Sequence, residues 1–147
     1  AVNNLRENKG LAPYSVLDFH KLLKEKMTQL KIDSSFSKRY LNQGFSGGEK
    51  KRMEMLQLAL LEPKYALLDE TDSGLDVDAM KTVAEGVENI RSEKETGIIV
   101  ITHYSKFLDF LKPDTVSVLL EGKIVKSEGY ALAQYIEKNG FSGLIQG

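Results

Sequence analysis

The sequence contains no cysteine, so no disulfide framework can staple the chain and no thiolate within it can bind a metal. Charge of one sign is equally lacking. Twenty Lys and Arg stand against 21 Asp and Glu, a formal net charge of −1, and their scatter supplies no basic stripe of the kind that tracks a nucleic-acid backbone. No apolar run approaches the roughly 20 residues that cross a bilayer, so direct membrane insertion is not expected and a soluble chain is. The opening residues show neither the basic n-region nor the apolar h-region of a secretory leader, and no internal repeat or low-complexity segment occurs. The phosphate-loop motif Gly-x-x-x-x-Gly-Lys-[Ser/Thr] is also missing. Its nearest imitation, starting at Gly44, fails because Glu49 stands where the second glycine belongs.

What is present suffices for one core of ordinary domain size: 147 residues, 41% of them hydrophobic. The chain is organised around Gly44 to Asp76. Ser46-Gly47-Gly48 opens a helix that runs through the Met-, Leu- and Ala-rich stretch Met53 to Leu61. Glycines let backbone amides approach an anion closely, and a helix N-terminus carries partial positive charge, so the turn reads either as a phosphate cradle or as an ordinary glycine-rich helix entry. Tyr65 to Leu68 follows Pro63 as a short apolar run, bounded like a buried parallel strand. It ends in Asp69 and Glu70. At the carboxyl end of a parallel strand such acids project into a ligand site, one able to hold Mg²⁺ through water and the other to take a proton from it; alternatively they open a solvated turn.

Taken in order, Ala1 to Glu7 ends a helix closed by Asn8-Lys9-Gly10. Ser15 caps the next, with Asp18 three residues on, and Val16, Phe19, Leu23, Met27 and Leu30 mark its buried stripe to about Lys31. His20 adjoins that stripe and reads as solvated or packed. Residues Asp33 to Gln43 form a polar loop. Lys50, Lys51 and Arg52 then sit in the first turn of the signature helix, where the dipole disfavours cations. They face phosphate or a carboxylate, or they form a solvated basic face. Val77 to Glu95 is a helix with Met80, Val83, Ala84, Val87 and Ile90 inward; Ile98 to Thr102 is a strand, apolar except at Thr102, that delivers His103 to the sheet edge of Glu70. A short helix over Ser105 to Leu111, a hairpin turning at Glu121-Gly122, a helix over Tyr130 to Lys138 and a frayed end from Gly143 complete the reading.

Phe45-Ser46-Gly47-Gly48-Glu49, Asp69-Glu70, Ser73-Gly74-Leu75-Asp76 and His103 resemble, in order and spacing, the signature, Walker B pair, D-loop and switch histidine of the ABC ATPase superfamily. Glu49 replaces the more usual Gln. Thr71, Asp72 and Tyr104 stand where transporter ATPases commonly have Pro, Thr and Asp, and these variants resemble the ATPases of the SUF iron-sulfur cluster assembly system. The resemblance implies an α/β fold: a helical subdomain over residues 1–62 and the C-terminal part of a RecA-like core over 63–147. Walker A, the early strands and the Q-loop are expected before Ala1, and this segment alone is expected to be inactive.

By the same resemblance, ATP and Mg²⁺ are the ligands of a cytoplasmic protein. Two ATPase domains pair transiently head to tail, and Ser46, Gly47, Gly48 and Glu49 serve the neighbour's nucleotide. Asp69 binds Mg²⁺ through water, Glu70 polarises the attacking water, His103 contacts the γ-phosphate, and the D-loop, Ser73 through Asp76, couples the two sites. Partners are SufB/SufD-type scaffold proteins. The alternative is the ATP-binding subunit of an ABC membrane transporter; a third reading is a non-catalytic interaction module. Lys50 or Lys51 is expected to pair with Asp72 and hold the catalytic loop at rest, unless Asp72 merely caps the next turn.

Overall fold

The computed structural model describes residues 1–38 and 44–141. Two compact units divide the chain, Ala1–Ile101 and the residues from Thr102 on. That division follows contacts, whereas the boundary expected at residue 62 follows role. The difference has a plain cause: the helix over Gly47–Leu61 packs against the helix over Val77–Lys94 and so belongs with it.

In the first unit, α1 (Val2–Asn8) and α2 (Val16–Gln29) precede a 3-10 turn over Ser34–Lys38, within the stretch expected to be loop. The cap of α2 forms as its spacing predicts, the Asp18 amide donating to Ser15 Oγ at 3.1 Å. The stripe on α2 holds except at its first residue and deepens along the helix: Val16 is 86% exposed, Phe19 and Leu23 are half-buried, and Met27 and Leu30 are 4% exposed. Its buried end approaches α3 (Gly47–Leu61) and α4 (Val77–Lys94). A Cβ on Gly86 of α4 would lie 2.6 Å from Leu30 Cδ2, so the missing side chain is what lets α2 come that close. Lys26, buried beside Met27, reaches Glu93 of α4 at 2.6 Å. His20 is exposed.

Helix α3 packs on α1, α2 and α4 and buries Met53, Met55, Leu56 and Ala59. Strands β1 (Tyr65–Asp69) and β2 (Gly97–Ile101) pair in parallel, with α4 as the crossover between them, as a parallel pair requires. The inward stripe of α4 is the expected one: Met80, Val83, Ala84, Val87 and Ile90 are all buried. Strand β1, expected to be buried throughout, instead alternates. Ala66 and Leu68 are buried while Tyr65 and Leu67 are exposed, as are Ile99 and Ile101 beside them. Among the described residues one face of the pair is covered and the other is not. Strand β2 also stops one residue earlier than expected, leaving Thr102 beyond it.

The second unit holds α5 (Ser105–Leu111), the hairpin of β3 (Val116–Leu120) and β4 (Lys123–Glu128), and α6 (Ala131–Asn139). Glu121 and Gly122 both take positive φ, 48° and 75°, as a two-residue type I′ turn demands. Val116 and Val118 from one hairpin face join Leu132, Ala133 and Ile136 of α6 in a single cluster, with Leu108 of α5 and Tyr130 against it. Residues from Gly143 on lie outside the described residues.

Tyr130, at the N-terminus of α6, donates its hydroxyl to Asp109 Oδ1 of α5 at 2.5 Å. That hydrogen bond, reinforced by burial and by the charges of Asp109 and Glu137, pushes the phenol up from 10.0 to about 12. The folded state thus holds its proton more tightly than the unfolded chain. The tie is intact below pH 10 and is lost as pH rises towards 12. In a phenolate absorbance titration, one of the six tyrosines should ionise late, and Asp109→Asn should return it towards the ordinary value. Six tyrosines ionising together near 10 would contradict the assignment.

Candidate functional site

Ser46 takes an extended backbone (φ −65°, ψ 165°) ahead of α3, and its side chain and that of Glu49 close a reciprocal box. The Glu49 amide donates to Ser46 Oγ at 3.3 Å, and the Ser46 amide donates to Glu49 Oε2 at 2.7 Å. Two of the orphan donors of the first turn are satisfied within the chain. A carboxylate at this position also suits the helix dipole, which gives Glu49 a local role in place of the more usual Gln. Phe45 is buried, its ring 5.0 Å from that of Phe36, and this anchors the entry to the turn.

The two glycines that follow have no such local reason. Both lie in the helix rather than at positive φ, and a Cβ on Gly47 would meet nothing within 4 Å among the described residues. One on Gly48 would make ordinary contacts with Leu75 and Ala79, at 3.7 and 4.0 Å. Helical glycine is disfavoured against alanine by roughly 0.5–1 kcal/mol, and among the described residues none lies close enough to either position to require the missing side chain.

Gly48's neighbours identify the other wall of the site. A cavity of about 310 Å³ lies between the start of α3 and the D-loop, lined by Ser46, Gly48 and Arg52 on one side and Gly74, Leu75, Asp76 and Ala79 on the other. Asp76 caps α4, accepting from the Ala79 amide at 2.7 Å, a role its position in the sequence did not single out. Two helix N-termini therefore border one cavity, each closed by its own side chain. Ser73 is exposed in the turn before Gly74, its amide bonded to the Glu70 carbonyl at 3.1 Å.

Asp69 and Glu70 lie outside that lining. Asp69, exposed, ends β1 opposite Ile101, and the Glu70 amide donates to the Ile101 carbonyl at 2.9 Å. Glu70 itself sits at φ +46°, in the left-handed region where a residue with a Cβ costs about 1–2 kcal/mol. The strand therefore stops there, and the chain turns sharply through Thr71 and Asp72, both 4% exposed. Among the described residues no group of three acids or histidines could cage a metal. A lone Asp69 at a strand end still fits Mg²⁺, which is commonly held by one or two carboxylates together with substrate phosphates.

Lys51 Nζ lies 3.3 Å from Glu54 Oε2, one turn along its own helix, a spacing at which side chains on a preformed helix meet with little ordering. Lys50 is exposed and Asp72 is buried. His103 belongs to the second unit, exposed in the turn between Thr102 and Tyr104.

No protein-family model matches the chain. It is 50% identical over 144 residues to a Cyanophora paradoxa protein named "Probable ATP-dependent transporter ycf16", covering 98% of this chain and 55% of that one. It is 45% identical over 146 residues to the Escherichia coli K12 "Probable ATP-dependent transporter SufC", covering 99% and 58%. Over the segment it shares with them, the chain is similar to SufC-type ABC ATPases. It spans about half the length of the curated relatives it matches. Among solved structures, a dimeric bacterial ABC transporter cassette superposes with a TM-score of 0.69 at 19% identity, over 81% of this chain and 50% of that one. That likeness shows an α/β fold of the ABC ATPase cassette kind. No described helix is long and apolar enough to cross a membrane.

The caps and the bare glycines make opposite predictions for this ABC ATPase segment. Ser46→Ala should lower the unfolding free energy of the 147-residue chain by about 1 kcal/mol, whereas Gly47→Ala should leave it unchanged or raise it by up to about 1 kcal/mol. Urea denaturation of both variants checks this. A clear loss of stability in Gly47→Ala would mean that the glycine has a structural task after all.

Proposed function

We propose that this chain carries the signature, D-loop, Mg²⁺-binding and water-activating parts of an ATP-hydrolysing subunit, whose phosphate loop is supplied outside these 147 residues. The observation that carries the reading is the pair of helical glycines, Gly47 and Gly48, which no neighbour among the described residues requires. In a head-to-tail pair of ATPase domains they leave backbone amides open to the γ-phosphate of the neighbour's ATP, beside Ser46 and Glu49. The cassette of similar fold is described as a dimer, which is in keeping with this arrangement.

Within one subunit, Asp69 holds Mg²⁺ through water, and the metal supplies charge neutralisation at the β- and γ-phosphates. Glu70 accepts the proton of the attacking water. Its left-handed backbone sets the direction in which the carboxylate leaves the strand. His103 contacts the γ-phosphate and registers its presence, and Asp76, fixed as the cap of α4, ties the D-loop to the signature of the same subunit. The conformational work is delivered to SufB/SufD-type scaffold proteins during iron-sulfur cluster assembly, in the cytoplasm. Thr71, Asp72 and Tyr104 support that assignment, as does the identity to SufC.

A second reading is the ATP-binding subunit of a membrane transporter, favoured by the word "transporter" in the printed names of both relatives. Co-purification separates the two: a soluble SufB/SufD-type scaffold supports the first, and an integral membrane subunit the second. The general base is tested in the complete ATPase. Glu70→Gln keeps shape and loses the proton acceptor, so turnover should fall about a hundredfold or more with ATP binding retained. Single-turnover hydrolysis within about threefold of the parent would remove Glu70 from the role. The 147-residue chain by itself should show no saturable Mg-ATP binding in the micromolar range by calorimetry, because the phosphate-loop lysine and amides supply most phosphate contacts.

A further inference from the structure

Strand β2 is apolar over Ile98 to Ile101, and the first polar residue after it is Thr102. A threonine immediately past a strand can be incidental, but here the side chain has a defined task. Thr102 Oγ1 accepts from the Tyr104 amide at 2.9 Å and donates to the Tyr104 carbonyl at 3.4 Å. Both bonds span His103, the residue between. A Ser or Thr hydroxyl bonded to the backbone two residues on makes a side-chain-closed turn that mimics a β-turn. The shorter bond satisfies a donor at the threshold of a helix, since Tyr104 is the residue from which α5 begins and its own side chain makes no cap.

We propose that Thr102 is a positioning residue for His103. Its hydroxyl closes the turn on which the histidine is carried, fixing the backbone direction from which the imidazole reaches a γ-phosphate. The proposal deepens the ATPase reading given above and rests on it. Serine keeps the hydroxyl, valine keeps the shape without it, and alanine removes both. The chain also leaves the sheet at this point: Ile101, one residue earlier, gives its carbonyl to the Glu70 amide. A hydroxyl at 102 therefore lets the backbone change direction at once, instead of trailing an unclosed loop before α5.

The local geometry and the functional consequence are measured separately. In the 147-residue chain, hydrogen exchange at the Tyr104 amide should quicken roughly three- to tenfold in Thr102→Val and in Thr102→Ala, in line with the loss of one ordinary hydrogen bond. It should stay near the parent rate in Thr102→Ser. In the complete ATPase, Thr102→Val should lower kcat several-fold with KM for ATP within about twofold, and Thr102→Ser should restore kcat. An unchanged Tyr104 exchange rate in both hydroxyl-free variants would overturn the turn itself. Faster exchange with an unaltered kcat would overturn its positioning role. If His103→Ala left turnover intact, the fault would lie with the reading of the switch histidine and not with the Thr102 turn, which the exchange data test on their own. Thr102→Ala keeps the test open should the β-branched valine disturb the fold.

Discussion

The packing of α3 against α4 is the constraint on which the site depends. Both helices begin at the same cavity, α3 behind Ser46 and α4 behind Asp76, and their buried faces, Met53 to Ala59 and Met80 to Ile90, hold the two starts in place. Ser46 and Asp76 each stand at the cap of a packed helix, and a side-chain cap of this kind stabilises a helix start by about 1 kcal/mol. Loosening the interface would displace both elements together. The close approach of Leu30 to Gly86, and the Lys26–Glu93 pair, brace the far end of the same layer.

The strands serve a different purpose. Two parallel strands are too few to form a stable sheet by themselves, and the outward faces of Tyr65, Leu67, Ile99 and Ile101 are apolar and exposed. What the pair does locally is fix where the chain turns. Asp69 ends β1 opposite Ile101, and the Ile101 carbonyl holds the Glu70 amide in a conformation that an extended strand could not continue.

Charge is used sparingly and at short range. Glu49 satisfies the helix start that its own sequence creates, and Glu54 takes up Lys51 one turn further on. Both choices favour the nearest partner over a distant one, as expected when ordering a long side chain costs about as much as an exposed ion pair returns. The basic cluster at the head of α3 is therefore partly neutralised along its own helix.

Much of this was legible in the sequence, because the signals were local. Ser15 and Asp18 announced a cap, the spacing of Met80 to Ile90 announced an inward stripe, Glu121-Gly122 announced a tight turn, and the order of Ser46, Asp69, Glu70, Asp76 and His103 announced the family. Each depends on residues within one or two turns, whose geometry the backbone dictates. The tertiary structure alone decided the rest. That Val16 is exposed while Met27 is buried, that β1 alternates, that Lys51 joins Glu54, and that Gly47 is bare among the described residues all depend on which surfaces meet. A periodic pattern states which residues could share a face; only the packed neighbours determine how much of that face is covered.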